Sequence, residues 1–190
     1  MTKERQKLPE KSKRPVAVAV SGVKNSGKTT MIAALLPRLR AWGWKVAVIK
    51  HDGHDFEPDV PGTDTWIHRR AGAYGTAIFS GQRMMIVKEA QVTERELWEA
   101  FPEADLILLE GMKHSPYPKI ELVREGNSEA CVCDPATLLA VATNRREREG
   151  LPEGIPVMDL EDYEGIAVLI RDYVKACCKG QRQVTAEARI

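Results

Sequence analysis

Hydrophobic residues fall along the chain in two patterns: short continuous runs, and longer stretches with the spacing of an amphipathic helix. The run PVAVAVSG (15–22) is short, rich in valine and ended by glycine, so it predicts a buried β-strand. From Lys28 the apolar residues recur on one helical face, which predicts a helix ended by Gly43. The run KVAVIK (45–50) predicts a second buried strand. A strand, a helix and a strand within about 35 residues form a βαβ unit, so we expect parallel strands.

The rest of the chain continues the alternation of strands and helices. A polar loop at 51–62 precedes a helix at 63–73, a strand pair at 75–81 and 83–89, and a short helix at 94–101. There follow a continuous apolar strand (104–111), an alternating segment typical of an edge strand (118–125), two more strands (138–144 and 155–160), and a terminal helix (161–177) with Asp159 or Asp162 near its cap. These patterns predict an α/β fold, a mostly parallel β-sheet flanked by helices with an antiparallel strand pair.

Length and charge limit the classes of protein to consider. A chain of 190 residues with 43% hydrophobic content fits one domain, which we expect over 15–178, after a solvated basic arm (1–14) and before a frayed tail (179–190). The net charge of +1 predicts no nucleic-acid partner. No apolar run approaches the roughly 20 residues that span a bilayer, and no secretory signal is visible. We therefore expect a cytoplasmic protein without a membrane partner.

The four cysteines form two close pairs, Cys131/Cys133 and Cys177/Cys178. Neither pair has the CxxC spacing of a zinc site, and no histidine lies close by in sequence. Free thiols are the favoured interpretation.

The segment GVKNSGKT (22–29) matches G-x-x-x-x-G-K-T, the P-loop, between a predicted strand and a predicted helix. Its glycines let the backbone curl so that successive N–H groups point into one concavity at a helix N-terminus, which favours anions. Lys28 adds a charge for the β- and γ-phosphates, and the Thr29 hydroxyl is a ligand for Mg²⁺. The motif predicts nucleotide binding.

A P-loop needs an acid across the sheet for its metal ion. The strand LILLEG ends in Glu110, and the carboxyl ends of parallel strands meet at the ligand crevice. We therefore expect Glu110 to face the Mg²⁺ or its waters.

The segment KHDGHD (50–55) follows a strand directly and lies on the same predicted rim as the P-loop. The spacing of His51, His54 and His68 is no standard zinc pattern, so an anion site is the better interpretation. Asp52 or Asp64 reaches the Mg²⁺ or positions a water, and the sequence does not choose between them. A purely solvated loop remains the alternative.

Four segments resemble, in order and spacing, the molybdopterin-guanine dinucleotide biosynthesis protein B (MobB) family. They are SGVKNSGKTT (21–30), VIKHDGHDFEPDVPGTDTWIHRRAGA (48–73), DLILLEGMKHSPYPKIELVR (105–124) and AVATN (140–144). The resemblance implies a P-loop GTP-binding fold and a homodimer. It also implies an adapter role while GMP is attached to molybdopterin. The transfer itself belongs to a partner, a molybdopterin guanylyltransferase of the MobA type, and direct molybdopterin binding is left open.

The resemblance also implies roles for individual residues. The loop residues that would bind the phosphates are Gly22, Val23, Lys24, Asn25, Ser26, Gly27, Lys28, Thr29 and Thr30. Thr29 and Glu110 would bind Mg²⁺, with Asp52 as a further candidate ligand. Lys28 and Asp64 are the candidate catalytic residues. The adjoining rim comprises the segment 50–55, Asp64, Lys113 and His114, with Lys50, His51, His54, Lys113 and His114 as its positively charged or protonatable members. Relatives often carry Asp at the position of Asn144, so guanine is read here by Asn144, by Thr143 or by a backbone carbonyl.

Two other functions on the same scaffold stay open, because fold alone does not assign function. A kinase or an ATP-dependent ligase of the dethiobiotin synthetase type needs a lid with arginines, and the chain offers the cluster Arg145, Arg146 and Arg148, which also reads as a solvated face. A metallochaperone GTPase needs a Cys/His site, for which only the cysteine pairs are available. These points favour an adapter that is at most a slow GTPase.

Overall fold

The computed structural model describes residues 15–180. The predicted basic arm at 1–14, and all of the predicted tail beyond Gly180, lie outside the described residues. The described chain divides into two compact units, one comprising the residues up to His51 together with those from Trp98 onward, and a second running from Asp52 to Leu97. The expectation of one domain over 15–178 stays a prediction.

The first unit is built on a six-stranded sheet in the order β2-β5-β1-β6-β7-β8. The strands are β1 (Val16–Ser21), β2 (Val46–Lys50), β5 (Leu106–Glu110), β6 (Lys119–Val123), β7 (Leu138–Thr143) and β8 (Val157–Asp159). All neighbouring strands are parallel, with Val18 opposite Leu108 and Ala142 opposite Met158. The parallel sheet and the parallel βαβ strands are confirmed.

Two strands occupy positions in the sheet that differ from those predicted from their sequences. The segment 118–125 is not an edge strand, because β6 lies between β1 and β7 and all five of its residues are buried. The alternation was misleading because Lys119 and Glu121 are charged yet buried. Conversely, β2 was predicted to be buried but is an edge strand, with Val48 37% exposed.

Two helices cover one face of this sheet. Helix α1 (Lys28–Ala41) and the terminal helix α4 (Tyr163–Cys178) pack on each other and on the even-numbered positions of β1, β5, β6 and β7. Asp162 caps α4 by accepting a hydrogen bond from the Gly165 N–H at 2.9 Å, so of the two predicted caps it is Asp162 that serves. The core on this face includes Val18, Leu35, Leu108, Ile120 and Ile170, all 0% exposed.

The second unit contains α2 (Asp64–Arg70), the antiparallel pair β3 (Gly75–Phe79) and β4 (Met84–Lys88), and most of α3 (Glu94–Glu99). The predicted strand pair is confirmed, with Phe79 opposite Met84. Arg69 joins two parts of this unit, since its guanidinium donates to Glu57 at 2.7 Å and to Glu89 at 2.8 Å.

No helix within residues 15–180 is both long and apolar enough to cross a membrane.

Because the six strands are parallel, their carboxyl ends share one edge of the sheet. The residues that follow β1, β2, β5, β6 and β7 at this edge are Gly22, His51, Gly111, Arg124 and Asn144. In sheets of this kind the ligand crevice lies outside the carboxyl ends of the strands, so this edge locates the candidate site.

Candidate nucleotide-binding site

The loop between β1 and α1 has the backbone that a phosphate cradle requires. Gly22, Asn25 and Gly27 have φ of 135°, 62° and 99°, in the left-handed region where glycine and asparagine are best tolerated. A Cβ on Gly22 would lie 2.6 Å from the Leu122 carbonyl oxygen and 2.8 Å from Ser26 Oγ. Glycine at this position therefore lets the loop lie directly against β6.

Lys28 lies across the loop that precedes it. Its ammonium group donates to the Val23 carbonyl at 2.7 Å and to the Gly22 carbonyl at 3.3 Å. Burial lowers the pKa of Lys28; the Glu110 carboxylate opposes this shift, while Lys113 and Lys50 add to it. The two predicted rim lysines, Lys113 and Lys50, are therefore close enough to Lys28 to lower its pKa.

Thr29 and Glu110, the two residues predicted to bind magnesium, are in direct contact. The Thr29 hydroxyl donates to Glu110 Oε1 at 2.8 Å, and Glu110 is 9% exposed at the end of β5. Ser26 Oγ, nearby in the loop, is buried and without a hydrogen-bond partner. A hydroxyl and a carboxylate are the oxygen donors that Mg²⁺ takes, and a buried polar atom without a partner is typical of a cradle shaped for a ligand. The residues present therefore fit Mg²⁺ and a phosphate group.

Four of the predicted rim residues belong to the first unit: Lys50, His51, Lys113 and His114. The His51 N–H donates to the Glu110 carbonyl at 3.2 Å, which holds the end of β2 against the end of β5. Lys113 and His114 follow Gly111 and are exposed.

Three predicted site residues belong to the second unit: Asp52, His54 and Asp64. Asp52 Oδ1 accepts from the His54 N–H at 3.3 Å, and Asp64 begins α2. Their predicted roles at the metal ion and on the rim stay predictions.

The two candidates for reading the base have different surroundings. Thr143 is 5% exposed, and its hydroxyl oxygen accepts from the Arg145 N–H at 3.0 Å. Asn144 is exposed, and its side-chain oxygen accepts from the Glu125 N–H at 2.8 Å. Asn144 thus retains an exposed amide nitrogen with two donors.

Two polar residues that contact the P-loop have no signal in the local sequence. Arg124 Nε donates to the Ser26 carbonyl at 3.3 Å, and a Cβ on Gly27 would lie 2.9 Å from Arg124 Nη2. Asn127 Nδ2 donates to the Lys24 carbonyl at 3.1 Å. Both follow β6 and lie about 100 residues from the loop in sequence, so only the sheet order brings them there.

Two charged side chains inside β6 hold neighbouring loops. The Lys119 ammonium, 0% exposed, donates to the Ser115 carbonyl at 2.6 Å and to the Lys113 carbonyl at 3.3 Å, and burial lowers its pKa. The Glu121 carboxylate, 1% exposed, accepts from the Val132 and Cys133 N–H groups at 2.6 and 3.1 Å. Lys119 thereby fixes the loop that carries Lys113 and His114.

The cysteines are all free. Burial, followed by the neighbouring Glu121 carboxylate, raises the pKa of both Cys131 and Cys133 to about 12. Among residues 15–180, no three His, Cys, Asp or Glu side chains are grouped so as to hold a metal ion.

Comparisons with known proteins show which family this chain resembles. The model of the family described as "Molybdopterin guanine dinucleotide synthesis protein B" matches residues 17–144. The "Molybdopterin-guanine dinucleotide biosynthesis adapter protein" of Escherichia coli is 34% identical over 168 residues, covering 83% of this chain and 93% of that protein. A "Probable molybdopterin-guanine dinucleotide biosynthesis adapter protein" of Bacillus subtilis is 32% identical and covers 86% of this chain and 94% of its own length.

A solved structure of this family shares the fold. The crystal structure of Bacillus subtilis MobB superposes with a TM-score of 0.68 at 26% identity, covering 82% of this chain and 96% of that one.

Proposed function

The chain belongs to the molybdopterin guanine dinucleotide synthesis protein B family, and we propose that it is a GTP-binding adapter in the assembly of molybdopterin guanine dinucleotide. The observation that carries the proposal is the Thr29–Glu110 hydrogen bond beside the P-loop lysine, within a chain similar to named adapter proteins. A kinase, a ligase or a metallochaperone is not favoured by these relatives.

We assign the nucleotide to the loop from Gly22 to Thr30. The loop N–H groups and the Lys28 ammonium bind the phosphates, and for this Lys28 exchanges its contacts with the Val23 and Gly22 carbonyls for phosphate oxygens. Thr29 and Glu110, which are in contact, would hold Mg²⁺, and the role of Asp52, in the second unit, stays a prediction. When bound, the ion neutralises phosphate charge.

The rim beside the loop serves a second anion or the partner. Lys50 and Lys113 give it positive charge, with His51 and His114 next to them in sequence, and all four belong to the first unit. The role of His54, in the second unit, stays a prediction. Molybdopterin carries a phosphate, which such a rim attracts. The group transfer belongs to a partner guanylyltransferase of the MobA type, to which this chain presents GTP.

GTP hydrolysis by the isolated chain is slow in this proposal. Efficient hydrolysis needs an arginine that stabilises the transition state and a residue that orients water. Arg124 Nε donates to the Ser26 carbonyl at 3.3 Å, so this guanidinium is already engaged with the loop backbone. The role of Asp64 in positioning water, from the second unit, stays a prediction. We expect an unassisted turnover well below about 1 per second.

We further propose that the protein works in the cytoplasm as a homodimer. The second unit supports self-association, because one face of its β3–β4 pair exposes Phe79, Met84 and Ile86 by 83%, 70% and 65%. An isolated two-stranded pair is marginally stable in water, so a partner surface would stabilise it.

The substitution Lys28→Ala tests the proposal by calorimetric titration with GTP and with ATP, each with Mg²⁺. Loss of a charged contact costs about 1.5–3 kcal/mol, so GTP should bind roughly tenfold or more weakly. Lys45→Ala, an exposed lysine at the amino end of β2, is the matched control and should bind as the native chain does. Equal GTP affinity in Lys28→Ala, or ATP bound as tightly as GTP by the native chain, contradicts the proposal.

A further inference from the structure

One turn contacts both the P-loop and the end of β7. It comprises residues 124–128, directly after β6. On one side Asn127 and Arg124 donate to the Lys24 and Ser26 carbonyls of the P-loop. On the other side the Glu125 N–H donates to the side-chain oxygen of Asn144 at 2.8 Å. Hydrogen bonds on both sides of the turn therefore connect the phosphate loop to Asn144.

The turn is held in one conformation by its own hydrogen bonds. The Arg124 carbonyl accepts from the N–H groups of Asn127 and Ser128 at 3.1 and 3.0 Å. The Ser128 hydroxyl accepts from the Arg124 N–H at 3.2 Å, and Gly126 has a φ of 72°, which suits glycine. The turn can therefore carry a fixed geometry from the P-loop to Asn144.

The contact with Glu125 also fixes which way round the Asn144 amide lies. A backbone N–H must be met by the oxygen, so the amide nitrogen is on the opposite side of the group. Asn144 is an exposed residue at this edge of the sheet. An amide nitrogen donates, and it therefore complements the O6 acceptor of guanine but not the amino group that adenine carries at the same position.

The position of Asn144 on the sheet suits the base of a nucleotide held by the P-loop. Strand β7 is two places from β1 in the sheet order, and each step is roughly 4.8 Å. The ends of the two strands are thus roughly 10 Å apart along one edge, a span that a nucleotide bridges.

We propose that Asn144 reads the O6 atom of guanine through its amide nitrogen, and that the 124–128 turn is the positioning element that aligns Asn144 with the P-loop. The inference rests on the proposed GTP binding and goes beyond it. It assigns the base specificity to one donor, and it makes that specificity depend on Asn127, whose side chain contacts the Lys24 carbonyl of the P-loop.

Calorimetric titration of the full chain with four Mg²⁺-triphosphates tests the reading of O6. Inosine triphosphate keeps O6 and lacks the 2-amino group, whereas 2-aminopurine riboside triphosphate lacks O6 and keeps that amino group. We expect inosine triphosphate to bind within about threefold of GTP, and the 2-aminopurine analogue to bind as weakly as ATP. The reverse order, with the 2-aminopurine analogue favoured, overturns the assignment of Asn144 as a donor to O6.

The same titrations on Asn127→Ala, Asn144→Ala and the double variant test the positioning role. We expect each single variant to lower the ratio of ATP to GTP dissociation constants by about 3- to 10-fold, the size of one neutral hydrogen bond. The double variant should lower the ratio no further than the larger single effect, because the two residues act as one unit. Gln82→Ala removes a carboxamide from another exposed turn and should leave the ratio unchanged.

The outcomes separate the inference from the function on which it rests. A native chain without GTP binding overturns the proposed function and this inference together. A native chain that prefers GTP, with an Asn127→Ala variant that weakens GTP and ATP equally, overturns the inference alone, because a residue that merely supports the loop leaves the ratio unmoved. Thermal melting of each variant, expected within about 2 °C of native for these exposed residues, confirms that the measured proteins are folded.

Discussion

Thr29 and Glu110 are joined by a 2.8 Å hydrogen bond although 81 residues separate them in sequence. The parallel pairing of β1 with β5, which places Val20 opposite Glu110, brings the two residues together. A hydroxyl that donates to a carboxylate in this way is oriented to offer its oxygen to a cation shared by both.

Glu110→Gln should therefore remove most of the gain in GTP affinity that Mg²⁺ provides. The amide keeps the size of the side chain and a hydrogen-bond partner for Thr29, but it lacks the negative charge that attracts the ion. We expect the ratio of GTP affinities with Mg²⁺ and with a chelator to fall by about tenfold, measured by calorimetry. Glu153→Gln, at an exposed loop position, is the control. An unchanged ratio in Glu110→Gln would place the ion elsewhere.

Glu121→Ala should destabilise the fold strongly although Glu121 lies outside the P-loop and the rim. The substitution leaves the Val132 and Cys133 N–H groups without the carboxylate that accepts from them, and it opens space beside a central strand. We expect a loss of about 2–4 kcal/mol in the free energy of unfolding, measured by urea denaturation.

Glu125→Ala, a few residues further along and exposed, should change the free energy of unfolding by less than about 0.5 kcal/mol. Equal effects of the two substitutions would show that the buried contacts of Glu121 contribute little to stability.

The sequence predicts most elements of this fold, because in them the spacing of hydrophobic residues and the residues that end each element indicate the same structure. The valine-rich run before Gly22, the helical face after Lys28 and the apolar run ending at Glu110 each have one strong pattern. The P-loop and its acid could therefore be paired before the sheet order was known.

The errors arise where a pattern has two physical causes. Alternating apolar and charged residues at 118–125 are typical of a half-exposed strand, but here loop carbonyls and loop N–H groups solvate Lys119 and Glu121 inside the protein. Likewise, a continuous apolar run at 45–50 does not distinguish a central strand from an edge strand. The contacts of Arg124 and Asn127 with the P-loop depend on β6 being next to β1, which no local pattern encodes.

Cys131 and Cys133 should react slowly with iodoacetamide at about pH 8. The thiolate is the reactive form, and a rise in pKa from 9.0 to about 12 lowers its fraction by about a thousandfold. Peptide mass spectrometry of timed samples measures both rates, and the urea-unfolded chain gives the reference. Labelling of the folded chain as fast as of the unfolded chain would contradict the raised pKa.

The same shift makes stability depend on alkaline pH. The folded-state pKa of each thiol lies above its unfolded value, so the contribution is fully present below about pH 9 and is lost as the pH rises toward about 12. Urea midpoints should therefore fall over that window, and Cys131→Ser with Cys133→Ser should reduce the fall.

Phe79→Asp combined with Ile86→Asp should dissociate the proposed homodimer into monomers. Both side chains lie on one exposed face of the β3–β4 pair, and buried charges without partners would oppose its association. Light scattering after size exclusion measures the mass. Val60→Asp, a 67% exposed position outside the pair, should leave the mass unchanged. A double variant of native mass would remove this face from the proposed interface.

Lys50→Ala combined with Lys113→Ala should distinguish a rim that serves the partner or its substrate from one that only supports the nucleotide and its metal ion. Both lysines lower the pKa of Lys28, so they lie near the ammonium group that we assign to the phosphates. If the rim serves the partner or its substrate, GTP affinity changes by less than about threefold, because the loop N–H groups and Lys28 remain. Formation of guanine dinucleotide cofactor in an assay reconstituted with a guanylyltransferase should nevertheless fall by at least about tenfold.

If the two lysines instead only support the nucleotide and its metal ion, GTP affinity and cofactor formation should fall together. A control with Lys45→Ala and Lys179→Ala removes the same number of charges from other exposed positions, and it isolates the effect of position from that of net charge. Raising the salt concentration adds a further check, because salt screens the charges of the rim. Cofactor formation by the native and control proteins should then fall toward that of the rim variant. Undiminished cofactor formation by the Lys50 and Lys113 variant would exclude the rim from the function of the adapter.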